Sequence, residues 1–231
     1  MNSGVALHFC SANRAFAVGQ HRAYVAGVME KLVPAFENIE AEADQYANEV
    51  YERFGEMPGW EDGPDLADFA DTARDEGIGR YQDLVFVKGE LIAFATGGMY
   101  HLWEKILKSF LLRELGHYGL TDAGRKEIEQ ANYEKLSNWL KDMGFDFSIR
   151  PYADLLDICR LVANTVKHGD GASCQKLAEK APELLRGPYG IEFPFGNPCA
   201  EELWIEPTKF KEFAEAIEAF WQELPERLCV A

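Results

Sequence analysis

No Cys-x-x-Cys pair occurs in the sequence, and its five cysteines (Cys10, Cys159, Cys174, Cys199, Cys229) are odd in number and irregularly spaced. Such a set suits neither a disulfide framework nor a zinc knuckle, and it predicts a reduced, cytoplasmic protein. No GxGxxG or P-loop glycine pattern is present, so no nucleotide cofactor is expected. The first sixteen residues lack a basic start and a sustained apolar core, so no signal peptide is expected. The most apolar window, LVFVKGELIAFATGGMYHLW (84–103), is broken by Lys88, Glu90 and His101. It reads as a buried helix and not as a membrane span. Neither an alternating strand series nor an internal repeat is found.

Positive charge is also scarce. Lys and Arg number 23 against 39 Asp and Glu, for a net charge of −16. A chain this acidic does not bind nucleic acid through its overall field. The acidity is local, however. Glu37 to Glu76 holds 14 acidic and two basic residues, whereas Gly77 to His168 holds 12 of each. The neutral part is free to present a site for a polyanion.

What remains is ample for a core: 47% of residues are hydrophobic and 13% aromatic. Helical periodicity predicts one long helix from about Gln20 to Phe54, kinked or broken at Pro34. GEMPGWEDGPD (55–65) reads as a connector, followed by a short helix over 66–74 and a soft spot at DEGIG. A second long helix is expected from Arg80 to Leu115, with Gly97 and Gly98 marking a close helix approach or a bend. Thr121 or Asp122 caps a helix to about Met143. Further helices are expected over 152–167 (stopped by Gly169), 173–185 and 208–224, with a short extended piece at LWIE (203–206). The expectation is an all-α, up-and-down helical bundle over 77–231, carrying an acidic helical N-terminal extension over 1–76.

DICRLVANTVKHGDGAS (157–173) is the unusual stretch. Projected at about 100° per residue, Asp157, Arg160, Asn164, Lys167 and His168 share a sector about 100° wide. The rest of the circumference is almost wholly apolar, so the helix is expected to be buried except along one line. Arg160, Asn164 and His168 stack there at i, i+4 and i+8. A solvated strip is the ordinary reading of such a line. Its composition also suits phosphate: a planar guanidinium fork, a lysine point charge, an amide and a group that titrates near neutrality.

RLVANTVKHGDGAS resembles the signature helix of the HEPN superfamily, in which an Arg and a His lie four to six residues apart on one helix. YHLWEKILKSFLLREL (100–115) and FKEFAEAIEAFWQELPE (210–226) look like the earlier long helix and the closing helix of a bacterial branch of that superfamily. The resemblance spans residues 80–226. It implies a four-to-five-helix bundle that dimerises, with two signature helices forming a composite Arg/His cleft. In many members this cleft is a metal-independent endoribonuclease of toxin–antitoxin, abortive-infection or CRISPR systems. Here seven residues stand between Arg160 and His168, Leu161 follows the Arg, and Asp170 stands where an AMP-accepting subgroup carries Tyr.

The resemblance thus implies RNA as partner, a homodimer, and a cognate inhibitor or another defence-system protein. Arg160, Asn164 and His168 are the catalytic candidates. Lys167, Lys105 and Lys108 are candidate RNA contacts, with Glu104 and His101 in support. His101, Glu104, Lys105 and Lys108 share one helical face. That face reads either as a second wall of the cleft, with Glu104 pairing with Arg160, or as a solvated face with its own ion pair. His101 and Glu104 are weighed as half of a metal site, and no metal is expected. Cys159 is expected to be an inert core thiol, Ser173 a cap, and Trp103, Trp139 and Trp221 core. Two functions stay open: an endoribonuclease effector, and a non-catalytic HEPN-like dimerisation or RNA- or protein-binding module.

Overall fold

The computed structural model describes residues 5–56, 66–190 and 200–229. The chain is an all-α helical bundle. Among the described residues no helix is long and apolar enough to cross a membrane. Residues 57–65 of the connector and residues 191–199, Cys199 among them, lie outside the described residues.

A short strand β1 (Ala6–His8) leads into helix α1 (Ser11–Gly27). The predicted break at Pro34 is present, as a π-helical turn (Val28–Leu32) followed by a 3-10 turn (Val33–Phe36). Proline has no N–H to continue the ladder, so the chain restarts as α2 (Ile39–Gly55). Beyond the connector, α3 runs unbroken from Leu66 to Gly116, 51 residues in all. The short helix over 66–74 and the soft spot at DEGIG are therefore corrected. Gly77 does not end a helix; it admits α2, because a Cβ there would fall 2.8 Å from the Ala47 Cβ. Phe54 stacks on Phe69 at 4.8 Å, and Arg80 pairs with Glu42, closing the acidic α2–α3 hairpin.

The division at residue 76/77 is also corrected, since α3 crosses it without interruption. Residues 5–36 belong to the bundle rather than to the extension. His21 on α1 is buried and its Nε2 donates to the Ala214 carbonyl at 2.8 Å, while Arg22 pairs with Glu218. Arg14 donates to the Trp221 and Leu224 carbonyls at 3.0 and 2.9 Å, satisfying the open end of the last helix. β1 pairs antiparallel with β2 (Arg227–Cys229), Leu7 opposite Leu228, both fully buried. Local sequence pattern predicts no strand at either position.

After α3, the chain forms α4 (Asp122–Glu129) and α5 (Tyr133–Asp142), not one helix to Met143. Thr121 caps α4 as expected, its hydroxyl accepting from the Gly124 N–H at 3.1 Å. Asn132 starts α5 in the same way, accepting from the Lys135 N–H at 2.9 Å. α6 (Ala153–His168) ends at Gly169, whose φ of 65° suits glycine. α7 (Ala172–Lys180) is cut short by Pro182, which opens a 3-10 turn (Pro182–Leu185). The 203–206 stretch is not a strand; the Trp204 N–H donates to the Leu184 carbonyl at 2.8 Å. α8 (Pro207–Glu223) closes the bundle.

The core centres on Phe220 of α8. Trp103, Phe145 and Phe147 surround it edge-on, with ring centroids 5.2, 5.8 and 5.3 Å away. Beside it, α3 and α6 approach closely. A Cβ at Gly97 would lie 3.6 Å from the Cα of Ala163. At Gly98 a Cβ would collide with the Tyr24 hydroxyl, which donates to the Ala95 carbonyl at 2.9 Å. The glycine pair thus marks the close approach that the sequence suggested.

A methyl at Gly97 meets only ordinary contact, and alanine gains about 1 kcal/mol of helix propensity. Gly97→Ala is therefore expected to leave stability unchanged or raised. Gly97→Leu drives a side chain into the α6 backbone and should cost about 1–3 kcal/mol. Urea midpoints of the two variants check this contrast.

Candidate functional site

α6 lies against α3, α7 and α8. Leu156, Cys159, Leu161, Val162, Ala163 and Thr165 are buried, which leaves the predicted line as the open part of the helix. Along that line burial decreases toward the C-terminus. Arg160 is mostly covered (18% exposed), Asn164 is half-buried, and Lys167 and His168 are exposed. Cys159 is fully buried and burial pushes its thiol pKa up, so it is a core group and not a nucleophile.

Arg160 is held firmly. Its Nε donates to Asp157 Oδ1 at 2.8 Å, and its Nη2 lies 2.7 Å from the same oxygen. The guanidinium also lies over the Tyr133 ring, 5.3 Å from the centroid. Asp157 Oδ2 accepts from Lys180 of α7 at 2.6 Å. Burial alone would raise the Asp157 pKa, but Lys180 and Arg160 together hold it below the ordinary carboxylate value. Tyr100 and Tyr133 flank this network, and burial raises both phenol pKa values, so both stay protonated hydroxyls.

The α3 face carries its own ion pair, the second of the two readings given for it. Glu104 binds Lys108 at 2.9 Å and His101 at 3.5 Å on its own helix, and it makes no ion pair with Arg160. Lys108 also donates to the Glu129 carbonyl at 3.1 Å, so it is committed to α4. Gly97, Tyr100 and Glu104 are on the side of α3 toward α6, and Lys105 lies about 100° around the helix from Glu104. The face is thus largely a structural ion-pair strip. Among the described residues no group of three or more His, Cys, Asp or Glu is placed to hold a metal.

Nor does one chain bring Arg160 and His168 together. Eight residues of helix separate their Cα atoms by about 12 Å, and Asp157 draws the guanidinium further toward the N-terminus. Four surface hollows among the described residues are lined by elements other than α6. Asp170 is spent in accepting from the Ala200 N–H at 2.5 Å. Asp157, Lys180 and Tyr133 have no predicted role from the sequence. Asp157 carried a signal, an acid three residues before Arg160 in the same sector. Tyr133 and Lys180 carried none, because tertiary packing alone brings them to α6.

Trp103 and Trp221 are buried as expected. Trp139 is half-buried, with the Lys135 ammonium 5.3 Å from its ring centroid.

Because Asp157 has a lowered pKa in the fold, its ionic contribution is full above about pH 4 and is lost as pH falls through the folded-state value. Asp157→Asn is expected to destabilise by about 1–2 kcal/mol at pH 7. Urea unfolding of both proteins should show this difference shrinking as pH falls below about 4.

Comparison with protein-family models, with curated proteins and with solved structures gives no match.

Proposed function

We propose that the chain is a metal-independent endoribonuclease effector of a toxin or antiviral-defence type, acting as a dimer through a composite Arg/His cleft. One observation carries this reading: on a helix buried around most of its circumference, the open line holds Arg160, Asn164, Lys167 and an exposed His168. Cleavage without a metal needs a base for the ribose 2′-hydroxyl, a cation for the phosphorane and an acid for the departing 5′-oxygen. His168 of one copy takes the 2′-hydroxyl proton. The oxygen attacks the adjacent phosphorus, the bond to the 5′-oxygen breaks, and His168 of the second copy protonates that oxygen. The products are a 2′,3′-cyclic phosphate and a 5′-hydroxyl. Arg160 offers the guanidinium edge that Asp157 does not use, Asn164 orients the phosphate, and Lys167 holds the RNA backbone.

The second reading is a non-catalytic HEPN-like dimerisation or RNA- or protein-binding module. Its support is the commitment of Arg160 to Asp157 and to the Tyr133 ring, which is how a structural arginine is held. Incubation with single-stranded RNA in the presence of a chelator separates the two. The nuclease reading predicts cyclic-phosphate ends and a loss of rate of about 100-fold or more in His168→Ala and in Arg160→Ala. Equal cleavage by wild type and both variants contradicts the site. RNA retention without cleavage selects the module. Expression that arrests growth, with relief by His168→Ala, supports the effector role and its need for a cognate inhibitor.

A further inference from the structure

The outer face of α3 carries a line of residues that stays largely open, although Arg80 pairs with Glu42 of α2 and Gly98 meets Tyr24 of α1. Glu76, Arg80, Asp83, Val87, Leu91, Phe94, Gly98, His101 and Lys105 follow one another at spacings of three and four. At about 100° per residue they stay within roughly 80° of arc. Val87, Leu91 and Phe94 in its middle are 43%, 37% and 56% exposed. Glu76, Asp83, His101 and Lys105 are exposed as well. Three large apolar side chains in register on one helix are more than the scattered apolar exposure of an ordinary surface.

The charges on either side indicate what covers them. Between Leu66 and Asp83 the helix holds five acidic and two basic residues; between His101 and its end at Gly116 it holds two acidic and three basic. The helix is therefore negative before the apolar row and positive after it. A second α3 laid antiparallel sets each negative half against a positive half, whereas a parallel one sets like against like.

We propose that this face binds a second copy of the chain, α3 against α3 in antiparallel order about a twofold axis midway between Val87 and Phe94. The interface is then isologous. Val87 meets Phe94 of the second copy, Leu91 lies at the axis, and Glu76 faces Lys105, twice per dimer. Asp83 comes within one turn of the second copy's His101. Lys105 and His101 thereby serve the dimer seam and not the RNA cleft. A helical ribbon about 43 Å long and about 10 Å wide buries roughly 900 Å² over both copies, the range of weak, micromolar pairs. The proposal shares with the ribonuclease reading only its requirement for a second copy.

Sedimentation of the full chain from about 5 to 200 µM tests it, spanning the range expected for so small an interface. The wild type is expected to move from the 26.0 kDa of one chain toward twice that mass. Leu91→Glu, at an exposed position, should keep its helical circular dichroism and stay monomeric. Glu76→Lys and Lys105→Glu should each weaken association about tenfold or more, and the two together should restore it to within about threefold of wild type. A monomer at every concentration overturns the proposal. So does a dimer that tolerates Leu91→Glu, or a double reversal that restores nothing. A dimer that tolerates Leu91→Glu would place the second copy elsewhere and leave the ribonuclease reading standing.

Discussion

The close approach of α3 and α6 at Gly97 and Ala163 sets the position of every polar group on the candidate line. Room for no more than a methyl is left between the two backbones at position 97, and α6 buries Cys159, Val162 and Ala163 against its neighbours. Tyr24 holds the adjoining side of α3 through Gly98 and the Ala95 carbonyl. Phe220 fills the space behind, within a ring of aromatic edges. What α6 still shows is narrow because three sides of it are taken.

That narrowness is chemically consequential. The buried end of the line is a fixed ion-pair network in which Asp157 serves Arg160 and Lys180 at once. The open end is Lys167 and His168, beside a glycine-rich exit. A rigid, partly desolvated cation at one end and a solvent-accessible imidazole at the other suit a cleft assembled from two helices. They do not suit a site confined to one chain, where about 12 Å of helix separates them. The antiparallel charge pattern of α3 is an independent reason to expect a second copy.

Much of this was legible in the sequence, for identifiable reasons. α6 and α8 have strong apolar periodicity and clear stops, and both helices lie where periodicity put them. Pro34 announced its break and Thr121 its cap. The errors arose where one residue type serves two purposes. The glycines of DEGIG look like a terminus, but Gly77 is a packing contact with Ala47 inside a helix of 51 residues. Asn132 looks like a helix interior residue and is a cap. β1 and β2 are three residues each and pair across nearly the whole chain, so local pattern does not reveal them. At the site, the line itself was visible by projection. The partners of Arg160 were visible only in part: Asp157 is local in sequence, but Tyr133 and Lys180 come from other helices.

The composite cleft stands or falls on whether cleavage uses His168 of both copies. Mixing wild type with an equal amount of His168→Ala protein at constant total concentration measures this directly. If both imidazoles are needed, only the quarter of dimers that are wild type in both copies cleave, and ribonuclease activity should fall to about a quarter of that of wild type alone. If it falls only to about half while mixed dimers are shown to form, each chain works alone and the composite cleft is wrong.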